Sequence, residues 1–319
     1  MAARFSTARR RPHRAGRIAA AVTALMIGAL ALTSCATTTS RPSADVAHHA
    51  AAPVANSAHA VGVVVTAGVP YAGTSDRQQQ LDVCAPTATG QLRPAVLLIH
   101  GGGWHSGDKS TVESSCEWLA QAGFVTFNID YRLAPRVRYP SQPDDVRAAL
   151  RFIRTPATAS HYEIDPARIA AFGGSAGGNL AALLALRDSG ADAGNRVSAL
   201  VDLSGPMDLT ASRLTAHQDP RLTADETGFL DCRTLAHCSA AAAASPLHAV
   251  SAGDPPTFIG QASVDFVPNT QGNALRDALE KVGVPVTLEQ TAGTHHSFGV
   301  LTPKMKADIV EFLHAQLGQ

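Results

Sequence analysis

Five consecutive apolar residues, Ala95-Val96-Leu97-Leu98-Ile99, limit the folds open to this chain more than any other feature. A half-exposed strand alternates apolar and polar residues. An unbroken run that ends on a glycine cluster marks a strand covered on both faces. Such strands occupy the middle of a parallel sheet between helical layers. The flanking sequence agrees. Residues 61–66 and 80–84 read as short strands before the run. Then follow a helix over 111–121, a strand over 124–128 and a helix over 142–153, with Val146, Leu150 and Ile153 at helical spacing. A strand over 168–172 leads into an Ala- and Leu-rich helix over 176–186. Strands over 197–203, 257–260 and 284–289, with helices over 269–281 and 304–317, complete the alternation. The expected fold is α/β over residues 61–319, a mostly parallel central sheet with helices on both faces.

Residues 207–250 break this rhythm with Pro, Asp, Thr and the Ala240–Ala244 run. They read as an insertion between strands 6 and 7, either a lid over a site or a passive surface excursion. No long apolar lid helix stands out in it. With Cys35 set aside, four cysteines remain, and three pairings are open to them. Cys232 and Cys238 lie six apart in one loop and are the favoured pair, which leaves Cys84 for Cys116. No Cys-x-x-Cys or His-x-x-x-His spacing occurs, which argues against a zinc site, and the chemistry of the motifs implies no metal or cofactor.

The chain's 26 basic residues balance its 26 acidic ones. That balance argues against a nucleic-acid partner, which calls for a basic excess. It also hides an asymmetry. Residues 1–34 hold six arginines and no acid, so the remainder carries 20 basic residues against 26 acidic. The basic head and the apolar stretch from Ile18 to Leu32 predict a secretory signal over 1–34, too short an apolar span to cross a membrane. It ends in Leu32-Thr33-Ser34-Cys35, which resembles the lipobox of bacterial lipoproteins and implies lipidation of Cys35. Residues 35–60 read as a flexible tether, and the His48-His49 pair as solvated linker. The implied location is the cell envelope, at a membrane surface through acyl chains, or outside the cell.

Two motifs carry chemistry. Gly173-Gly174-Ser175-Ala176-Gly177 joins the end of a strand to the start of a helix. A sharp turn there exposes the Ser175 hydroxyl, and small residues let neighbouring backbones pass close. His100-Gly101-Gly102-Gly103-Trp104 follows the central strand. Its glycines allow the N–H groups of Gly102 and Gly103, with that of Ala176, to converge on one oxygen. His100 reads as a structural hydrogen bonder, and Trp104 as either a wall of a substrate pocket or part of the core.

These motifs resemble the esterase and lipase branch of the α/β-hydrolase superfamily, the hormone-sensitive-lipase-like group. They are similar also to single-domain carboxylesterases related to feruloyl and acetylxylan esterases. The likeness runs from residue 61 to the C-terminus and takes in Tyr131-Arg132-Leu133-Ala134-Pro135, Tyr139-Pro140 with Asp145, and Asp165-Pro166 with Arg168-Ile169. The Tyr131–Pro135 and Asp145 elements are expected to be structural. The resemblance implies a nucleophile, acid and base in that chain order. The family's His-x-Phe pattern matches His296-Ser297-Phe298 and makes His296 the general base, with His295 as the alternative. Asp265-Phe266-Val267-Pro268 resembles the family's Asp-x-x-Val-Pro but is one residue short, and Gly260 lies unusually far before it. Asp265 is therefore the expected acid, with Asp208 as the alternative.

The implied reaction is hydrolysis of small-molecule or lipid carboxylic esters of short to medium acyl chain, through Ser175 and an acyl-enzyme. An amide or formamide hydrolase or peptidase of the same fold is the competing reading, because such enzymes share a similar glycine loop. A third reading is an inactive hydrolase fold that serves as a binding module. The oligomeric state is not legible in the sequence.

Overall fold

Eight strands form one sheet: β1 (Val63–Pro70), β2 (Gln80–Pro86), β3 (Arg93–Ile99), β4 (Val125–Ile129), β5 (Ile164–Gly174), β6 (Ala199–Leu203), β7 (Thr257–Val264) and β8 (Val286–Thr294). Their spatial order is β1-β2-β4-β3-β5-β6-β7-β8. Strand β2 runs antiparallel to both its neighbours, and every pairing from β4 to β8 is parallel. The computed structural model describes residues 62–87, 90–187, 196–212, 214–216 and 218–318. The expected signal segment, Cys35 and the tether to residue 60 lie outside them.

The apolar run that anchors the sequence reading explains the layering. Side chains alternate across a strand, so a strand apolar throughout feeds two cores. Ala95, Leu97 and Ile99 join the core beneath α2 (Ser141–Ile153), α3 (Pro156–His161), α4 (Ala176–Arg187) and α6 (Thr270–Lys281). Val96 and Leu98 join the opposite core, beneath α1 (Glu113–Gln121) and α7 (Pro303–Leu317). This is the α/β-hydrolase architecture that the motifs imply.

Three boundaries differ from expectation in an instructive way. Strand β5 begins four residues earlier, β7 continues four residues beyond Gly260, and β8 runs five residues beyond Glu289. Ladder bonds continue from Thr257↔Val286 to Val264↔Thr294. Val264 and Thr294 are exposed there, so no hydrophobic pattern marks the extension.

The insertion between β6 and β7 is not a passive excursion. Met207, Leu209, Phe229, Leu230, Ala241 and Ala244 are buried in the same core as α4. Its main element is a helix the apolar pattern does not announce, α5 (Pro220–Leu230). Asp219 caps it by accepting from the Arg221 N–H at 2.8 Å, and Pro220 opens its first turn. Disulfides join Cys84 to Cys116 and Cys232 to Cys238. The first ties β2 to α1, and the second closes the loop behind α5. Among the described residues, no helix is long and apolar enough to cross a membrane.

Candidate active site

Ser175 stands alone between β5 and α4, with its backbone in the left-handed region at φ +57°. A non-glycine residue holds that conformation only where its surroundings enforce it. Here the Ser175 N–H donates to the Leu203 carbonyl at 2.8 Å, which ties the turn to the end of β6. Gly177 has no room for a side chain, since a Cβ there would lie 2.3 Å from the Ile99 carbonyl oxygen. The glycines of this motif thus let α4 start directly against the end of β3.

The loop after β3 approaches from the other side. Gly102 takes φ +113°, a conformation open to glycine. Neither the Gly102 nor the Gly103 N–H donates to any partner among the described residues. The Ala176 N–H, at the start of α4, has no acceptor within its own helix. His100 is buried and stacks on Tyr131 with ring centroids 4.4 Å apart. Its Nδ1 lies 2.7 Å from the Gly101 carbonyl oxygen, and burial holds its pKa below the ordinary imidazole range. It is a neutral brace of this loop. Tyr131 donates its hydroxyl to the His100 carbonyl at 3.2 Å, and Arg132 makes a fork with buried Asp145 at 2.7 and 2.8 Å. The Tyr131–Pro135 segment is in this way locked beneath the loop.

Asp265 follows directly on β7, and His296 lies two residues past β8. His296 Nδ1 lies 2.9 Å from Asp265 Oδ1 and 3.0 Å from Oδ2. The carboxylate is almost wholly buried, whereas a quarter of the imidazole is exposed. A buried carboxylate at Nδ1 fixes the proton on that nitrogen and leaves Nε2 as the acceptor. The Phe266 ring packs on the imidazole at 4.2 Å between centroids. Ser175, His296, Gly102 and Gly103 all line one cavity of about 430 Å³. Burial pushes Asp202, beneath the elbow, up to about 8, with the Gly205 N–H as its donor at 2.9 Å.

The structure thus brings Ser175, His296, Asp265, Gly102, Gly103 and Ala176 to one place. The two alternatives lie elsewhere. His295 is exposed beside its neighbour. Asp208 is buried in the insertion, where it accepts from Thr210 and Ser212 and organises a turn. Trp104 differs from its pocket reading. Its side chain is 1% exposed and stacks on Phe229 of α5 at 4.5 Å, so it seats the insertion and lies outside the cavity wall.

A family model described as BD-FAE matches residues 81–279 of this chain. The chain belongs to the BD-FAE family. It is 32% identical over 230 residues to a protein named probable carboxylic ester hydrolase LipM of Mycobacterium tuberculosis, covering 65% of this chain and 50% of that one. It is 33% identical over 216 residues to carboxylesterase NlhH of the same species, covering 64% of this chain and 66% of that one. The chain therefore spans between half and two thirds of these curated relatives. A solved structure described as a truncated carbohydrate esterase from gut microbiota superposes with a TM-score of 0.70 at 25% identity, covering 82% of this chain and 99% of that one.

Around this BD-FAE site the structure adds His105, Ser106, Arg221 and Asp225, which no sequence motif singled out. With Phe266 and Ser297, from the two motifs that carry Asp265 and His296, they complete the cavity wall. Arg221 and Asp225 come from α5, so the insertion does lie over the site. Their signal was the Asp219-Pro220 pair, a helix-start signature within a segment of weak apolar pattern.

Proposed function

We propose that this chain hydrolyses carboxylic esters by acyl transfer through Ser175. The observation that carries this reading is the buried Asp265–His296 pair, facing the cavity that also exposes Ser175 at its elbow. His296 Nε2 takes the Ser175 proton as the hydroxyl oxygen attacks the ester carbonyl. The new oxyanion is held by the N–H groups of Gly102, Gly103 and Ala176, each donor contributing about 3 kcal/mol to the barrier difference. His296 then returns its proton to the leaving alkoxide. Water, deprotonated by the same imidazole, attacks the acyl carbonyl, and the imidazolium returns that proton to Ser175 Oγ as the acid leaves. Asp265 keeps Nδ1 protonated and stabilises the imidazolium that forms in each half. The cavity's volume of about 430 Å³ supports a preference for short to medium acyl chains.

The test is a fluorophosphonate probe followed by steady-state kinetics on p-nitrophenyl acetate and its anilide. Wild type is expected to label at Ser175 and to prefer the ester. Ser175→Ala is expected neither to label nor to turn over above about 10⁻³ of the wild-type rate. Labelling of the alanine variant would overturn the assignment, and a preference for the anilide would move the chemistry to amides.

We also propose that the chain is exported and lipid-anchored at Cys35. The arginine-rich head, the apolar stretch and Leu32-Thr33-Ser34-Cys35 support this. The two disulfides fit an oxidising compartment. Cys35→Ala is expected to move the protein from the membrane fraction to the soluble one, and equal membrane retention would overturn the anchor.

A further inference from the structure

The cavity holds one carboxylate for which the proposed chemistry has no use. Asp225 projects from α5 into the wall that Ser175 and His296 share. Its Oδ1 lies 2.9 Å from His105 Nε2. The same carboxylate rests on the oxyanion loop, because a Cβ built on Gly103 would lie 2.7 Å from Asp225 Oδ2 and 2.9 Å from His105 Nε2. A charged group and its imidazole partner are thus pressed against a backbone whose N–H has no acceptor among the described residues.

The remaining charges of the wall do not cancel Asp225. Arg221 is paired with Asp219 at 2.8 Å, and its guanidinium lies 5.1 Å above the Phe266 ring. Asp265 adds a second carboxylate behind His296. His105 is half exposed. Counted with Asp219 and the buried Asp265 behind the wall, three carboxylates stand against the single guanidinium of Arg221, so the groups around the mouth sum to a negative charge, whose screening by solvent a partly enclosed wall weakens.

Resting on the esterase reading, we propose that Asp225 is a specificity-determining residue that selects esters by charge, favouring those with a cationic group a few bonds from the carbonyl and rejecting those with a carboxylate there. The effect acts through space on the bound ester and takes no part in proton transfer. Even at a water-like dielectric constant, a unit charge a few ångströms from Asp225 changes kcat/KM by roughly five- to tenfold.

Two isosteric sets of small esters test this. In one the alcohol half ends in trimethylammonium, tert-butyl or carboxylate, and in the other the acyl half does. Wild type is expected to show a cation-to-anion ratio in kcat/KM of at least about tenfold in one set, shrinking as salt is raised. Asp225→Asn is expected to bring that ratio below about threefold. His105→Gln, which leaves the carboxylate without its imidazole partner, is expected to widen it. Equal ratios in wild type and Asp225→Asn in both sets, with the neutral esters still hydrolysed, would overturn the proposal. No turnover of the neutral esters by wild type would overturn the esterase reading itself.

Discussion

Asp265 shows most clearly what a side chain owes to its neighbours. Its spacing from Gly260 looked wrong for an acid that orients a base. The continuation of β7 to Val264 removes the difficulty, because it delivers Asp265 to the strand end, 2.9 Å from His296. Of the extra residues, buried Gln261 is polar and Ser263 and Val264 are exposed, so no continuous apolar signal marks the strand end in the sequence. Ser175 was legible for the opposite reason: its glycines are forced by close backbone approach, and that need is written in residue type. Choosing His296 over its exposed neighbour rested on the His-x-Phe resemblance, and the carboxylate contact belongs to His296. Asp265→Asn is expected to lower kcat on p-nitrophenyl acetate by about 10³- to 10⁴-fold, because an amide at Nδ1 no longer enforces the productive tautomer. Stopped-flow acylation rates check this directly, with near-UV circular dichroism to show that the fold is retained.

At the scale of elements, α5 decides how the insertion behaves. Its buried stripe is only Leu222, Phe229 and Leu230, interrupted by Glu226, which is why apolar periodicity missed it. Helices α3 and α5 both begin with a capping side chain followed by proline, Thr155-Pro156 and Asp219-Pro220, a signal independent of hydrophobicity. Phe229 lies between Trp104 and the edge of Tyr139. Phe229→Ala is expected to cost about 3–5 kcal/mol in urea unfolding with the m-value unchanged, by opening a cavity under the helix. Glu226 belongs to the same buried face, accepts from the Gln218 amide and is pushed up to about 8 by burial. Its folded pKa is raised, so the native state holds a proton that the unfolded chain releases from about pH 4.5 upward. Stability from this group is therefore complete in mild acid and falls as pH rises, levelling above about 8. Glu226→Gln is expected to remove that slope, gaining on wild type between pH 5 and 8 by on the order of a few kcal/mol. Chemical denaturation at several pH values reads the difference.

For the whole molecule, the central sheet was the most legible part, since strands buried on both faces announce themselves by composition alone. What stayed hidden were the parts set by partial exposure: strand ends, a short amphipathic helix and the cavity wall it supplies. The disulfides were readable in pairing and differ in what they constrain. The Cys84–Cys116 bridge spans 32 residues and the Cys232–Cys238 bridge only 6. Opening the first is expected to cost about 4 kcal/mol and the second about 2 by loop entropy, a contrast that paired Cys→Ser variants measure by thermal unfolding.

The double duty of the insertion bears on how this scaffold diversifies. Arg221 and Asp225 face the cavity, whereas Phe229, on the same helix, is stacked into the core on Trp104. A chimera that exchanges residues 207–250 for the matching segment of a relative would retune which esters enter while leaving the hydrolytic apparatus in place. It would fold only if the donor segment brought an aromatic ring to meet the indole, so inherited substrate preference travels with that one packing contact.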